Sequence, residues 1–91
     1  PADGVYAVSS EFNGKKRFGM MNIGWRPTIQ EAKTERKIEV HFFDFQSDIY
    51  EAYLALSLHE RIRPEQKFEN LSALKTQLQA DEHAVRAYFH N

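Results

Sequence analysis

Lys37-Ile38-Glu39-Val40-His41-Phe42-Phe43-Asp44-Phe45 is the stretch from which the rest of the chain is read. It alternates with the period of two that a β-strand imposes. Ile38, Val40 and Phe42 fall on one face; Glu39, His41, Phe43 and Phe45 fall on the other. The second face sets a carboxylate among large apolar side chains. A carboxylate on a half-buried strand is costly to desolvate without a partner, so an electrostatically perturbed Glu39 is expected, and such groups in clefts are candidate bases. A structural ion pair gives the same pattern, and the strand alone favours that reading.

Working outward, Val5 to Ser10 and Arg17 to Ile23 are runs rich in β-formers with Asn13-Gly14 between them. Asn-Gly in that position predicts a hairpin, because both residues tolerate the positive φ of a type I′ turn. The flanking Glu11, Lys15 and Lys16 suggest a connection longer than two residues. Gly24 to Arg36 contains Pro27 and many polar residues and reads as a loop, with Trp25 as a packing plug rather than a stacking platform. After a polar turn at Gln46 to Ile49, Tyr53 to Ile62 reads as a fourth strand, with Leu54, Leu56, Leu58 and Ile62 on one face. Pro64 ends it. Beyond it, Leu71, Leu74, Leu78, Val85 and Phe89 form a helical stripe over residues 70–89, with Asn70 as N-cap and Glu82–Arg86 as a favourable i,i+4 pair. The stripe is expected to dock on the sheet.

The expected fold is mostly β, antiparallel, with one C-terminal helix, in a single domain over 1–91. Four strands rarely close a barrel, so one or two further strands on the N-terminal side are expected. The opening Pro1-Ala2-Asp3-Gly4, without a Met, fits a piece of a longer chain.

Ninety-one residues allow one domain, which buries only about 60–65% of its unfolded surface. The apolar share of 42%, with seven Phe, four Tyr and one Trp, suffices for a small core. Twelve basic residues against thirteen acidic ones force no basic face, so no nucleic-acid partner is expected. No apolar run reaches membrane-spanning length, so no membrane partner is expected either. The absence of cysteine excludes disulfides and thiolate metal sites and fits a cytoplasmic protein.

Chemistry-bearing patterns are sparse. No G-x-x-x-x-G-K-[ST] or G-x-G-x-x-G cradle occurs, and no serine lies in a G-x-S-x-G elbow. His41 and His59 on adjacent strands, with Glu39 nearby, would form a two-His, one-carboxylate set, but their spacing is not diagnostic and no metal ligand is assigned. His83 and His90 read as solvated residues near the end of the helix. The charged segment Arg61 to Phe68 reads either as a solvated turn or as a flap over a flat ligand.

Five blocks occur in order: Asn22-Ile23-Gly24-Trp25-Arg26-Pro27-Thr28, Glu39 to Phe45, Asp48-Ile49-Tyr50, Arg63-Pro64-Glu65-Gln66-Lys67-Phe68, and Leu74 to Asp81. Together they resemble the riboflavin kinase domain found at the C-terminus of bacterial bifunctional riboflavin kinase/FAD synthetases, over about Gly4 to Tyr88. The resemblance implies a six-stranded antiparallel Greek-key barrel with a C-terminal helix. It implies transfer of the ATP γ-phosphoryl group to the 5′-hydroxyl of riboflavin to give FMN, with Mg²⁺ or a similar ion, and an adenylyltransferase domain upstream. Glu39 matches the family's base. Arg63, Glu65 and Phe68, with Asn22 and Arg26, match the flavin end; Asp44, Phe45 and Tyr50 match the part along the adenine nucleotide. The family's glycine-rich stretch ending Pro-Thr-Ala-Asn, whose Thr and Asn hold the metal, has no counterpart in these residues, so activity is expected of the parent protein rather than of these 91 residues alone. Two other classes remain open: a non-catalytic flavin-binding or domain-packing barrel, and an oligonucleotide-binding barrel, which near-neutral charge disfavours.

Overall fold

Asn13 (φ 52°) and Gly14 (φ 74°) both adopt left-handed backbone, and the residues that flank them, Phe12 and Lys15, are paired. The hairpin turn is therefore the tight two-residue form, shorter than the flanking charges suggested. It joins β1 (Gly4–Phe12) to β2 (Lys15–Thr28) in a computed structural model that describes residues 1–28, 33–44 and 55–90, with backbone alone at 26–28 and 33–35. β3 (Lys33–Phe42) and β4 (Ser57–Pro64) complete the described sheet, and α1 (Leu71–His90) follows.

The strand order is β3-β2-β1-β4, with every neighbouring pair antiparallel. Three consecutive strands with the fourth returning beside the first is a Greek key. The fold is thus mostly β with one C-terminal helix; among the described residues the sheet stays open, with β3 and β4 at its edges.

Three readings need correction. The segment Gly24 to Arg36 is not a loop throughout: β2 runs on to Thr28 and β3 begins at Lys33, so Trp25 pairs with Arg36 in the ladder and is largely exposed. Pro27 is compatible with this because it stands near the end of its strand. The fourth strand begins at Ser57 and includes Pro64, while Tyr53 and Leu54 lie outside the described residues. Two register shifts in β4, opposite Val5/Tyr6 and Ala7/Val8, break its alternation. Ile62 consequently turns to the helix side, whereas Leu58 pairs with Val8 and is exposed.

Each sheet face has its own core. Tyr6, Val8, Met21 and Ile23 pack together on one, with Val40 and Leu56 against them. On the other, Ala7, Phe43 and Val85 form a cluster with Met20, Ile62 and Phe89, and this is where the helix docks. Gly19 lets β2 and β3 approach closely, since a Cβ there would collide with the His41 carbonyl.

The helix begins where expected. Asn70 Oδ1 accepts a hydrogen bond from the Ala73 amide at 2.8 Å. Asn70→Ala is expected to lower stability by about 1 kcal/mol, read as a shift in urea midpoint at unchanged slope. Leu71 does not join the stripe: it is 82% exposed. Asp81, one of only two buried helix residues, takes a place in the stripe instead.

Candidate active site

The register lines up four residues across the sheet. Glu39 of β3 pairs with Asn22 of β2, Asn22 with Val5 of β1, and Val5 with Arg63 of β4. Directly opposed residues point to the same face, so Glu39, Asn22, Val5 and Arg63 form one row on the helix-bearing side. Three strand spacings, about 14 Å, separate its ends. Three residues chosen from distant parts of the sequence thus share one line.

Glu39 is not the half-buried carboxylate that the strand pattern suggested. Among the described residues β3 lies at the edge of the sheet, and the Glu39 side chain is exposed. Beside it, Asn22 is half-buried, and its Oδ1 is buried without a hydrogen-bond partner among the described residues. An acceptor left so is a feature that most folded proteins avoid.

At the other end of the row stands an ion pair. Arg63 Nε and Nη2 donate to the two carboxylate oxygens of Asp81, each at 2.7 Å. Gln77 Nε2 adds a third hydrogen bond to Asp81 Oδ1 at 3.0 Å. Asp81 is 1% exposed. This bidentate geometry is the favourable one for a desolvated pair. Arg63 Nη1 also reaches the Pro64 carbonyl, and the guanidinium lies 5.7 Å from the Phe68 ring centroid. Arg63 is therefore a strand residue, not a loop residue; Glu65 and Phe68 follow in the irregular segment before the helix and are half-buried.

A groove of about 620 Å³ opens at the other end of the helix-bearing face. Lys16 and Phe18 from β2, Phe43 and Asp44 after β3, and His83 and Arg86 from α1 are among the residues that line it. Along the strand, Phe43 lies about 13 Å from Glu39. Arg86 bonds Glu82 at 2.9 Å and Asp44 at 3.4 Å and stacks 4.4 Å from the Phe43 ring centroid. The Glu82 hydrogen bond, and then that of Asp44, hold its guanidinium protonated beyond the ordinary arginine range.

Of the remaining expected site residues, Arg26 pairs through its backbone with Glu35, four positions along β2 from Asn22. Phe45 and Tyr50 lie outside the described residues. His41 and His59 are not neighbours: they sit on β3 and β4, the opposite edges of the sheet. His59 instead hydrogen-bonds Ser9 Oγ at 2.7 Å and packs edge-on against Phe89. No group of three His, Cys, Asp or Glu among the described residues could hold a metal ion. Among the described residues the row offers Mg²⁺ two hard oxygen donors, the Glu39 carboxylate and the Asn22 amide oxygen, and Mg²⁺ ordinarily completes such a set with substrate phosphates and waters. Reading the sequence for chemistry missed Asp81 and Gln77. The signal was present, because Asp81 falls in the 74-78-81-85 helical repeat where an apolar residue is the rule.

Known proteins share this fold and sequence. A solved structure described as a macrolide-efflux protein from Streptococcus pneumoniae superposes with a TM-score of 0.78 at 38% identity, covering 94% of this chain and 28% of that one. No described helix here is long and apolar enough to cross a membrane. The bifunctional riboflavin kinase/FMN adenylyltransferase of Bacillus subtilis (strain 168) is 40% identical over 100% of this chain and 29% of its own length. The protein of that name from Pseudomonas fluorescens is 42% identical over 96% of this chain and 28% of its own. The chain thus spans less than a third of these curated relatives. The riboflavin kinase (flavokinase) family model matches residues 1–89, and with that match the chain belongs to the riboflavin kinase family.

Proposed function

We propose that this chain is the kinase domain of a longer bifunctional protein, cytoplasmic, with an adenylyltransferase domain upstream, and that it transfers the γ-phosphoryl group of ATP to the 5′-hydroxyl of riboflavin. The observation that carries the reading is the strand register that lines up the surface-exposed Glu39 with Asn22 and Arg63 on one sheet face of a riboflavin kinase family member. Glu39 accepts the proton of the 5′-hydroxyl as its oxygen bonds to the γ-phosphorus. The bond from that phosphorus to the β,γ-bridging oxygen breaks, and ADP leaves with the electron pair. The flavin end of the row is framed by Arg63, Glu65 and Phe68, with Asn22 and Arg26 on β2. The row's span of about 14 Å is one that a tricyclic ring with a five-carbon chain can bridge. The nucleotide lies toward the groove that Asp44 lines, and the family resemblance assigns Phe45 and Tyr50 to it as well. Mg²⁺ bound with ATP would neutralise the charge on the transferring phosphoryl group.

The full-length protein, incubated with riboflavin, ATP and Mg²⁺, is expected to form FMN, resolved by chromatography. Flavin fluorescence, with and without ADP and Mg²⁺, reports binding separately. Binding without FMN formation would replace the enzyme reading with a flavin-binding one.

A further inference from the structure

Arg63 stands at the hinge of the segment that frames the flavin end of the row. It is on β4, the next described element is α1, and the irregular residues 65–70 connect them. Asp81, which receives the Arg63 guanidinium, sits halfway along α1. The two residues therefore tie β4, at the start of that connection, to the middle of α1 beyond it. Three further contacts make the bridge rigid. Gln77, one turn earlier on α1, holds the Asp81 carboxylate at 3.0 Å. The Pro64 carbonyl receives Arg63 Nη1 at 3.1 Å. The Phe68 ring, inside the connection, lies against the guanidinium at 5.7 Å. With both of its planar edges engaged and one face covered by Phe68, Arg63 has little capacity left for a ligand.

We infer that Arg63 and Asp81 are positioning residues, which hold Glu65 and Phe68 in place for the flavin and do not themselves touch it. This rests on the riboflavin kinase reading above. A planar guanidinium fixed at two oxygens presents its face in one orientation only, so the Phe68 ring that rests on it is fixed as well. Once the clamp is released, the 65–70 segment loses the guanidinium face against which Phe68 rests. Recognition of the flavin then has to pay the ordering entropy that the clamp supplies in advance.

The test uses the full-length protein and the variants Asp81→Asn, Gln77→Leu and Phe68→Leu. Riboflavin and ATP are varied separately. Asp81→Asn is expected to raise KM for riboflavin about tenfold or more while KM for ATP and kcat change less than about twofold. Gln77→Leu and Phe68→Leu shift the riboflavin KM in the same direction by smaller factors, and they serve if Asp81→Asn fails to fold. Amide hydrogen exchange gives a readout independent of turnover: Asp81→Asn speeds exchange at residues 66–70 and leaves β1 and β2 protected. Lower kcat with both KM values unchanged would mean a merely structural pair and would overturn the inference. Unchanged exchange at 66–70 would do the same. Faster exchange there in a protein that makes no FMN would leave the clamp standing and sink the kinase reading instead.

Discussion

Asp81→Ala is expected to lower the stability of this domain by about 3–5 kcal/mol, the largest loss anticipated for any single side chain here. The reason is the geometry of the pair it breaks. Asp81 is buried, and Arg63 is nearly so, with side-chain exposures of 1% and 12%. Removing the carboxylate leaves the guanidinium desolvated with two donors unmet, and it strands the Gln77 amide as well. The pair itself is a different matter. Replacing both partners with apolar residues of similar volume, as in Arg63→Met with Asp81→Leu, is expected to recover most of the loss, because no charge is then left buried. Urea unfolding of the single and double variants decides between the two. A loss below about 1 kcal/mol in Asp81→Ala would show that water reaches the site and that the pair behaves as a surface ion pair.

Much of this fold is legible in the sequence for local reasons. Asn13-Gly14 specifies its turn because few other dipeptides accept positive φ twice, and both residues show it. Asn70 caps α1, and Glu82 pairs with Arg86, because these interactions depend only on residues three or four apart. What depends on distant partners was harder to read. The alternation of β3 identified a strand but could not say what would cover its faces, and Glu39 is exposed rather than half-buried. Bulges in β4 moved Ile62 to the helix side, and no local signal marks a bulge where no glycine forms it. No role for Asp81 could be read locally, because its partner lies eighteen positions earlier, on another element. The site followed the same division. The Glu39–Asn22–Arg63 row rests on strand register, which sequence alone does not set, while the identity of those residues came from the ordered motifs they belong to.

Glu39→Gln tests the chemistry with the least disturbance to the fold. The two side chains have the same shape, and Glu39 is exposed, so stability is expected to stay within about 0.5 kcal/mol. The amide keeps a hydrogen-bond acceptor for the 5′-hydroxyl but cannot take its proton. A positioned general base typically contributes a factor of about 10²–10⁴ to the rate. The decisive measurement is single-turnover FMN formation by the full-length protein, wild type against Glu39→Gln, with riboflavin affinity followed by flavin fluorescence on the same samples. The account predicts a rate lower by at least about 100-fold, with affinity changed by no more than a few-fold. FMN formation at the wild-type rate by the Gln variant would contradict it.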